Sequence, residues 1–116
     1  MFSRRLNALG YPGWRAFNPE DDGQASVLLS WLEDTKIRLW KIEERRSIRV
    51  VSSSEHKAPF PNEAQLRYLS CAGCPQSFMR SKVRIVSWLI NHAISLEYRD
   101  LSKEHTFSEY TIHFYR

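Results

Sequence analysis

Residues 81–98 read Ser-Lys-Val-Arg-Ile-Val-Ser-Trp-Leu-Ile-Asn-His-Ala-Ile-Ser-Leu-Glu-Tyr. Ile85, Val86, Leu89, Ile90, Ala93 and Ile94 recur at the spacing of one face of an amphipathic helix, with Tyr98 near its end. Ser81 stands where a hydroxyl can cap the free N–H groups of a first turn. This is the most hydrophobic helical pattern in the chain, so the helix is expected at the centre of the fold.

Working outward, Pro61-Asn62-Glu63 starts a preceding helix. Leu66, Leu69 and Ala72 are its expected inward face, Gly73 its stop, and Pro75 prevents its resumption. Further upstream, Asn18-Pro19-Glu20-Asp21 combines an N-cap residue, a proline that presets the first helical dihedral, and acids suited to the positive helix end. The helix it opens is expected to run to about Thr35. Val27, Leu28, Trp31, Leu32 and Thr35 form its expected buried stripe, with Ser30, Glu33 and Asp34 facing water. A short opening helix over residues 2–9 places Phe2, Leu6 and Leu9 on one face, and Gly10 with Pro12-Gly13 ends it.

Two segments lack a clear period. From Ile37 to Val51, Ile37, Leu39, Val50 and Val51 fit short strand fragments, whereas Trp40, Glu43, Glu44 and Ser47 fit a helical turn. An irregular connector with a short helix near 41–47 is the favoured reading, followed by a loop at Ser52-Ser53-Ser54. From Leu101 onward, β-branched and aromatic residues suggest a strand or a tail that packs on a surface or partner.

The chain has 116 residues, 42% of them hydrophobic and 26% charged, which suits one folded domain and excludes wholesale disorder. The apolar runs Val27–Leu32 and Ile85–Ile90 fall far short of the ~20 residues of a membrane span. No apolar run follows Arg4-Arg5, so the start does not read as a secretory signal. Two cysteines are too few for a disulfide scaffold. An intracellular, reduced, single-domain protein is the expectation.

Charge is unevenly placed. The net charge is +4, and the segment from Lys36 to Arg49 holds six basic and two acidic residues, so it accounts for the whole excess. Lys36, Arg38, Lys41, Arg45, Arg46 and Arg49 are therefore the candidate contact residues for phosphate or an acidic protein surface, set against a merely solvated face. Trp40 sits between Arg38 and Lys41. An aromatic among cations can stack on a base of single-stranded RNA, or it can plug the core from the connector.

Chemistry-bearing motifs are sparse. Cys71-Ala72-Gly73-Cys74 is a lone Cys-x-x-Cys, without the second pair that a zinc site needs, and it falls at a helix end and not at a helix start. Only four glycines occur, in no phosphate-loop spacing, and no Gly-x-Ser-x-Gly elbow is present. Glu33-Asp34 and Glu43-Glu44 are helix neighbours that point apart. His92, Trp31 and Trp88 lie on or beside apolar stripes and read as structural. Nothing argues for an enzyme, a metal or a cofactor.

Leu32-Glu33-Asp34-Thr35-Lys36-Ile37-Arg38 followed by Lys41-Ile42-Glu43-Glu44-Arg45 resembles the RNA transcription, translation and transport factor family, also called CLE or CGI-99. Met1-Phe2, Arg5-Leu6, Ala8-Leu9, Phe17-Asn18, Trp31-Leu32, Cys74-Pro75, Trp88-Leu89 and Leu96-Glu97-Tyr98 with Asp100 agree in order and spacing over residues 1–100. The resemblance implies a small all-helical domain related to the calponin-homology fold over residues 1–100, with 101–116 as a divergent, aromatic C-terminal tail. It implies a non-enzymatic interaction module of an RNA-processing or RNA-transport assembly. The partners it implies are a family-98 protein, a DEAD-box helicase and an RtcB-type RNA ligase in the tRNA-splicing ligase complex, with links to RNA polymerase II. The implied location is nucleus and cytoplasm. Direct RNA binding through 36–49, and microtubule binding or domain pairing through the fold, are the alternative expectations. Family members continue into a long C-terminal helical region that residues 101–116 do not follow.

Overall fold

The computed structural model describes residues 2–48 and 59–113, with side chains described in 2–48 and 59–99. Four α-helices carry the fold: α1 (Ser3–Leu9), α2 (Asp22–Leu32), α3 (Glu63–Ala72) and α4 (Lys82–His113). The described residues contain no strand, so Ile37 and Leu39 are not strand fragments. Val50, Val51 and Ser52-Ser53-Ser54 lie outside the described residues. The described residues form an all-helical fold, as expected.

Local signals set most of the boundaries. Gly10 ends α1 in the left-handed conformation at φ 84, where a side chain would be strained. Asn62 and Gln65 form a reciprocal capping box at the start of α3. At its end, Gly73 is left-handed at φ 101 and the Cys74 N–H bonds the Leu69 carbonyl at 3.0 Å. The Ser81 hydroxyl accepts from the Arg84 N–H at 3.3 Å and caps α4. α2 begins later than its proline suggests. Asn18 organises a preceding turn, in which its side chain accepts from the Glu20 N–H at 3.1 Å. Asp21 is the true cap, accepting from the Gln24 N–H at 3.1 Å.

α4 is the central element. Ile85, Val86, Leu89, Ile90 and Ala93 are all buried, and both α1 and α2 pack on this helix. Phe2, Leu6 and Leu9 of α1 are buried as the 2–9 pattern requires. The backbone of α4 runs unbroken to His113, well past Tyr98. Residues 105–113, read as a strand or tail, are therefore helical.

Two stripes are rotated from their expected phase. In α2 the buried set is Ala25, Leu28, Leu29 and Leu32, whereas Val27 is 37% exposed and Thr35 is exposed. In α3 the buried set is Gln65, Tyr68 and Leu69, and Leu66 faces outward. The polar members of these faces explain the rotation. Gln65 Nε2 donates to the Ser26 hydroxyl at 3.0 Å across the α2–α3 contact, while its Oε1 closes the capping box. A buried polar group costs little when every donor and acceptor finds a partner. The phase of α2 is directly testable. Leu29→Ala should cost about 2–5 kcal/mol in urea unfolding, and Val27→Ala less than about 1 kcal/mol. The reverse order would restore the phase expected from the sequence.

Candidate functional site

The basic segment follows α2 through a wide turn. Glu33–Ile37 continues the helix in π register, with the Arg38 N–H bonded to the Glu33 carbonyl at 2.9 Å. The Thr35 hydroxyl donates to the Trp31 carbonyl at 2.7 Å within the same turn. Arg38 then takes left-handed backbone at φ 50 and ψ 47, which is uncommon for a residue with a side chain. The chain reverses there, and a 3-10 turn follows at Glu44–Ser47. That turn matches the short helix expected near 41–47.

Glu33 holds the reversal in place. It is fully buried, contrary to the expectation that it faces water. Its Oε1 accepts from the Leu39 N–H at 3.0 Å and from the Tyr68 hydroxyl at 2.5 Å. Its Oε2 accepts from the Trp40 N–H at 2.6 Å and from Arg45 Nε at 3.1 Å. Two backbone groups, a phenol and a guanidinium thus saturate one carboxylate. Sequence reading assigned this residue to the solvated face because it is charged. The missed signal is positional: Glu33 lies eight residues after Ala25 and four after Leu29, on the stripe that is buried.

The candidate residues divide sharply. Arg45 is committed to the interior, with Nε also donating to the Trp40 carbonyl at 2.9 Å and a second nitrogen 3.4 Å from Asp34. Lys36 pairs with Glu97 of α4 at 3.2 Å. Arg38, Lys41 and Arg46 are exposed. Arg49 lies outside the described residues. Trp40 is half-buried and meets the Tyr68 ring edge-on, with centroids 5.1 Å apart. Trp40 and Arg46 line an open groove of about 720 Å³ with Glu43, Glu44, Ser47 and Arg67 of α3. Arg67 carries no sequence signal that ties it to this place. The groove mixes both signs of charge, and the exposed Leu39 (47%) and Ile42 (70%) flank the same segment. Such a surface can match a protein partner in register, and its carboxylates oppose a polyphosphate.

Other candidate chemistry resolves into structure. Cys74 is buried as part of the α3 stop, and burial pushes its thiol up, away from the reactive thiolate. Cys71 is exposed and unbonded. No group of side chains that could hold a metal occurs among the described residues. No described helix is long and apolar enough to cross a membrane. His92 stacks on Trp88 at 4.6 Å with an interplanar angle of 12°, and burial, then the Arg99 charge, lowers its pKa.

A sequence model of the RNA transcription, translation and transport factor protein family matches residues 2–113. The chain is 39% identical over 100 residues to the protein of that name from Xenopus laevis, covering 86% of this chain and 39% of the relative. It is 34% identical over 105 residues to the proteins of that name from Mus musculus and Homo sapiens, covering 90% of this chain and 41% of each. The chain belongs to this family, which is named for a factor and not for a catalytic activity. It spans about two-fifths of the length of these relatives. The matched residues include the part of α4 beyond residue 100.

The Glu33 cluster generates predictions for stability and for titration. Glu33→Ala strands the Leu39 and Trp40 N–H groups and the Tyr68 hydroxyl and takes a carboxylate from Arg45, and should cost about 3–5 kcal/mol in chemical unfolding. Tyr68→Phe removes one bond and should cost about 1–2 kcal/mol. Burial, then the bond to Glu33 and its charge, drive the Tyr68 phenol far above its ordinary value of 10.0. The unfolded chain releases that proton near pH 10 while the native chain keeps it, so stability should fall as pH rises above about 10. Phenolate absorbance should show a late phase from Tyr68 and the buried Tyr11, and Tyr68→Phe should reduce it.

Proposed function

We propose that this chain is a non-enzymatic docking module of an RNA-processing or RNA-transport assembly, and that the turn after α2 is its contact surface. One observation carries the reading. A loop bearing Arg38, Lys41 and Arg46 on its outer side is fixed from within by three hydrogen bonds to a buried carboxylate, which a fourth bond ties to Tyr68 of α3. Recognition gains from such preorganisation, because the loop loses little further freedom when a partner settles on it. The family name supports the RNA context. The resemblance supports a calponin-homology-like module, a family-98 protein as the direct partner, and an RtcB-type ligase and a DEAD-box helicase in the wider assembly. It also supports work in both nucleus and cytoplasm.

A protein is favoured over RNA at this surface by the side chains themselves. Glu43 and Glu44 stand in the groove beside Arg46 and Arg67, where they oppose phosphate. The test is co-elution with the N-terminal domain of a family-98 protein, followed by light scattering. A one-to-one complex is expected at micromolar concentration. The triple reversal Arg38→Glu, Lys41→Glu, Arg46→Glu should weaken it at least about tenfold, since opposed like charges cost several kcal/mol. Its circular dichroism should match the parent, because all three side chains are exposed. Absence of a complex, or a complex indifferent to the reversal, would overturn the reading.

A further inference from the structure

A second surface lies along α4. Trp88 stands four residues after Arg84, and Ser95 and Arg99 follow seven and eleven residues after Trp88. His92 lies four residues beyond Trp88, so the five side chains share one stripe of the helix. The buried set Ile85, Val86, Leu89, Ile90 and Ala93 occupies the neighbouring arc. Arg84, Ser95 and Arg99 are exposed, and Trp88 and His92 are half-buried.

The stripe pairs aromatic area with positive charge, and among the described residues neither Arg84 nor Arg99 enters an ion pair. The Trp88 and His92 rings lie nearly parallel with centroids 4.6 Å apart. The Arg84 guanidinium stands 6.0 Å from the centre of the Phe78 ring, which extends the aromatic surface toward the helix start. Between residues 84 and 99 the sequence holds one acid, Glu97, and it is engaged with Lys36 at 3.2 Å. The two arginines are fifteen residues apart, or about 22 Å along the axis. That length accommodates a few nucleotides of a single strand.

We propose that this stripe binds single-stranded nucleic acid, with the Trp88–His92 pair as a stacking platform and Arg84 and Arg99 as phosphate contacts. Stacking on aromatic rings is tolerant of sequence, because every base has a π face, and flanking cations track the backbone. The turn after α2 lacks this combination, since its carboxylates oppose phosphate. The two surfaces are chemically distinct, and this inference stands independently of the docking reading.

The test is fluorescence anisotropy with labelled oligouridine and oligothymidine of about twelve nucleotides, using the full chain. Binding in the range of about 1–100 µM at low salt is expected, with affinity falling as salt rises by the modest slope of two phosphate contacts. Arg84→Glu with Arg99→Glu should weaken binding at least about tenfold. Trp88→Phe keeps the packing and reduces the stacking area, so it should weaken binding roughly threefold. The triple reversal in the turn after α2 should leave the affinity unchanged. Binding by either oligomer supports the proposal, because both offer phosphates and a pyrimidine face and differ only in the 2′-hydroxyl and the 5-methyl group. No binding by either oligomer at about 100 µM, parental affinity in the α4 double variant, or loss caused by the turn variant would each overturn the proposal.

Discussion

The Glu33 carboxylate is the constraint on which the region between α2 and α3 depends. A carboxylate removed from water is costly unless its lone pairs are filled, and here four donors fill them. The donors come from three parts of the chain. Leu39 and Trp40 supply backbone groups just past the reversal, Arg45 a guanidinium from the following turn, and Tyr68 a phenol from the middle of α3. Satisfying Glu33 therefore fixes the loop against α2 and α3 together. The uncommon backbone of Arg38 is the geometric consequence, because it aims two successive N–H groups back at the helix end.

This constraint also explains where sequence reading stops. The four helices were legible from punctuation and period: Gly10 and Gly73 stop helices, Asn62 and Ser81 start them, and the α4 stripe is buried as its spacing requires. The phase of α2 and α3 was not legible. Reading by hydrophobicity alone puts Val27 and Leu66 inside and Glu33 outside. In the fold, Ser26 is paired with Gln65, and Glu33 with Tyr68, so the misplaced residues of α2 are answered by misplaced residues of α3. A buried polar side chain can be recognised only with its partner, and these partners lie 39 and 35 residues away. The extent of α4 escaped for a different reason. The residues after Leu101 favour strands intrinsically, and propensity is a weak prior for a segment that continues an established helix.

The candidate site was half legible on the same grounds. Composition located the charge excess in the segment from Lys36 to Arg49, and the described part of that segment is an ordered turn. Composition could not apportion its charges. Arg45 serves the interior, Lys36 ties the turn to α4, and Arg38, Lys41 and Arg46 remain outward beside Glu43 and Glu44. A run that looks strongly cationic in sequence is thus a mixed surface in the fold. The stripe on α4 is the opposite case. Its arginines are spread over sixteen residues and make no visible cluster, yet helical spacing gathers them with Trp88 and His92 on one side.

The difference between these surfaces has a physical consequence. A mixed-sign surface discriminates by register: each charge favours one partner group and opposes its neighbour, so specificity exceeds affinity. A single-sign stripe beside aromatic rings has no such register and accepts any strand that offers phosphates and exposed bases. The Lys36–Glu97 pair joins the two, since it anchors the turn to the helix that bears the stripe. It also removes the one acid of residues 84–99 from the account of that stripe. The same helix therefore packs the core, steadies the selective surface through Glu97, which continues the buried stripe seven residues after Ile90, and presents the permissive surface on the neighbouring arc.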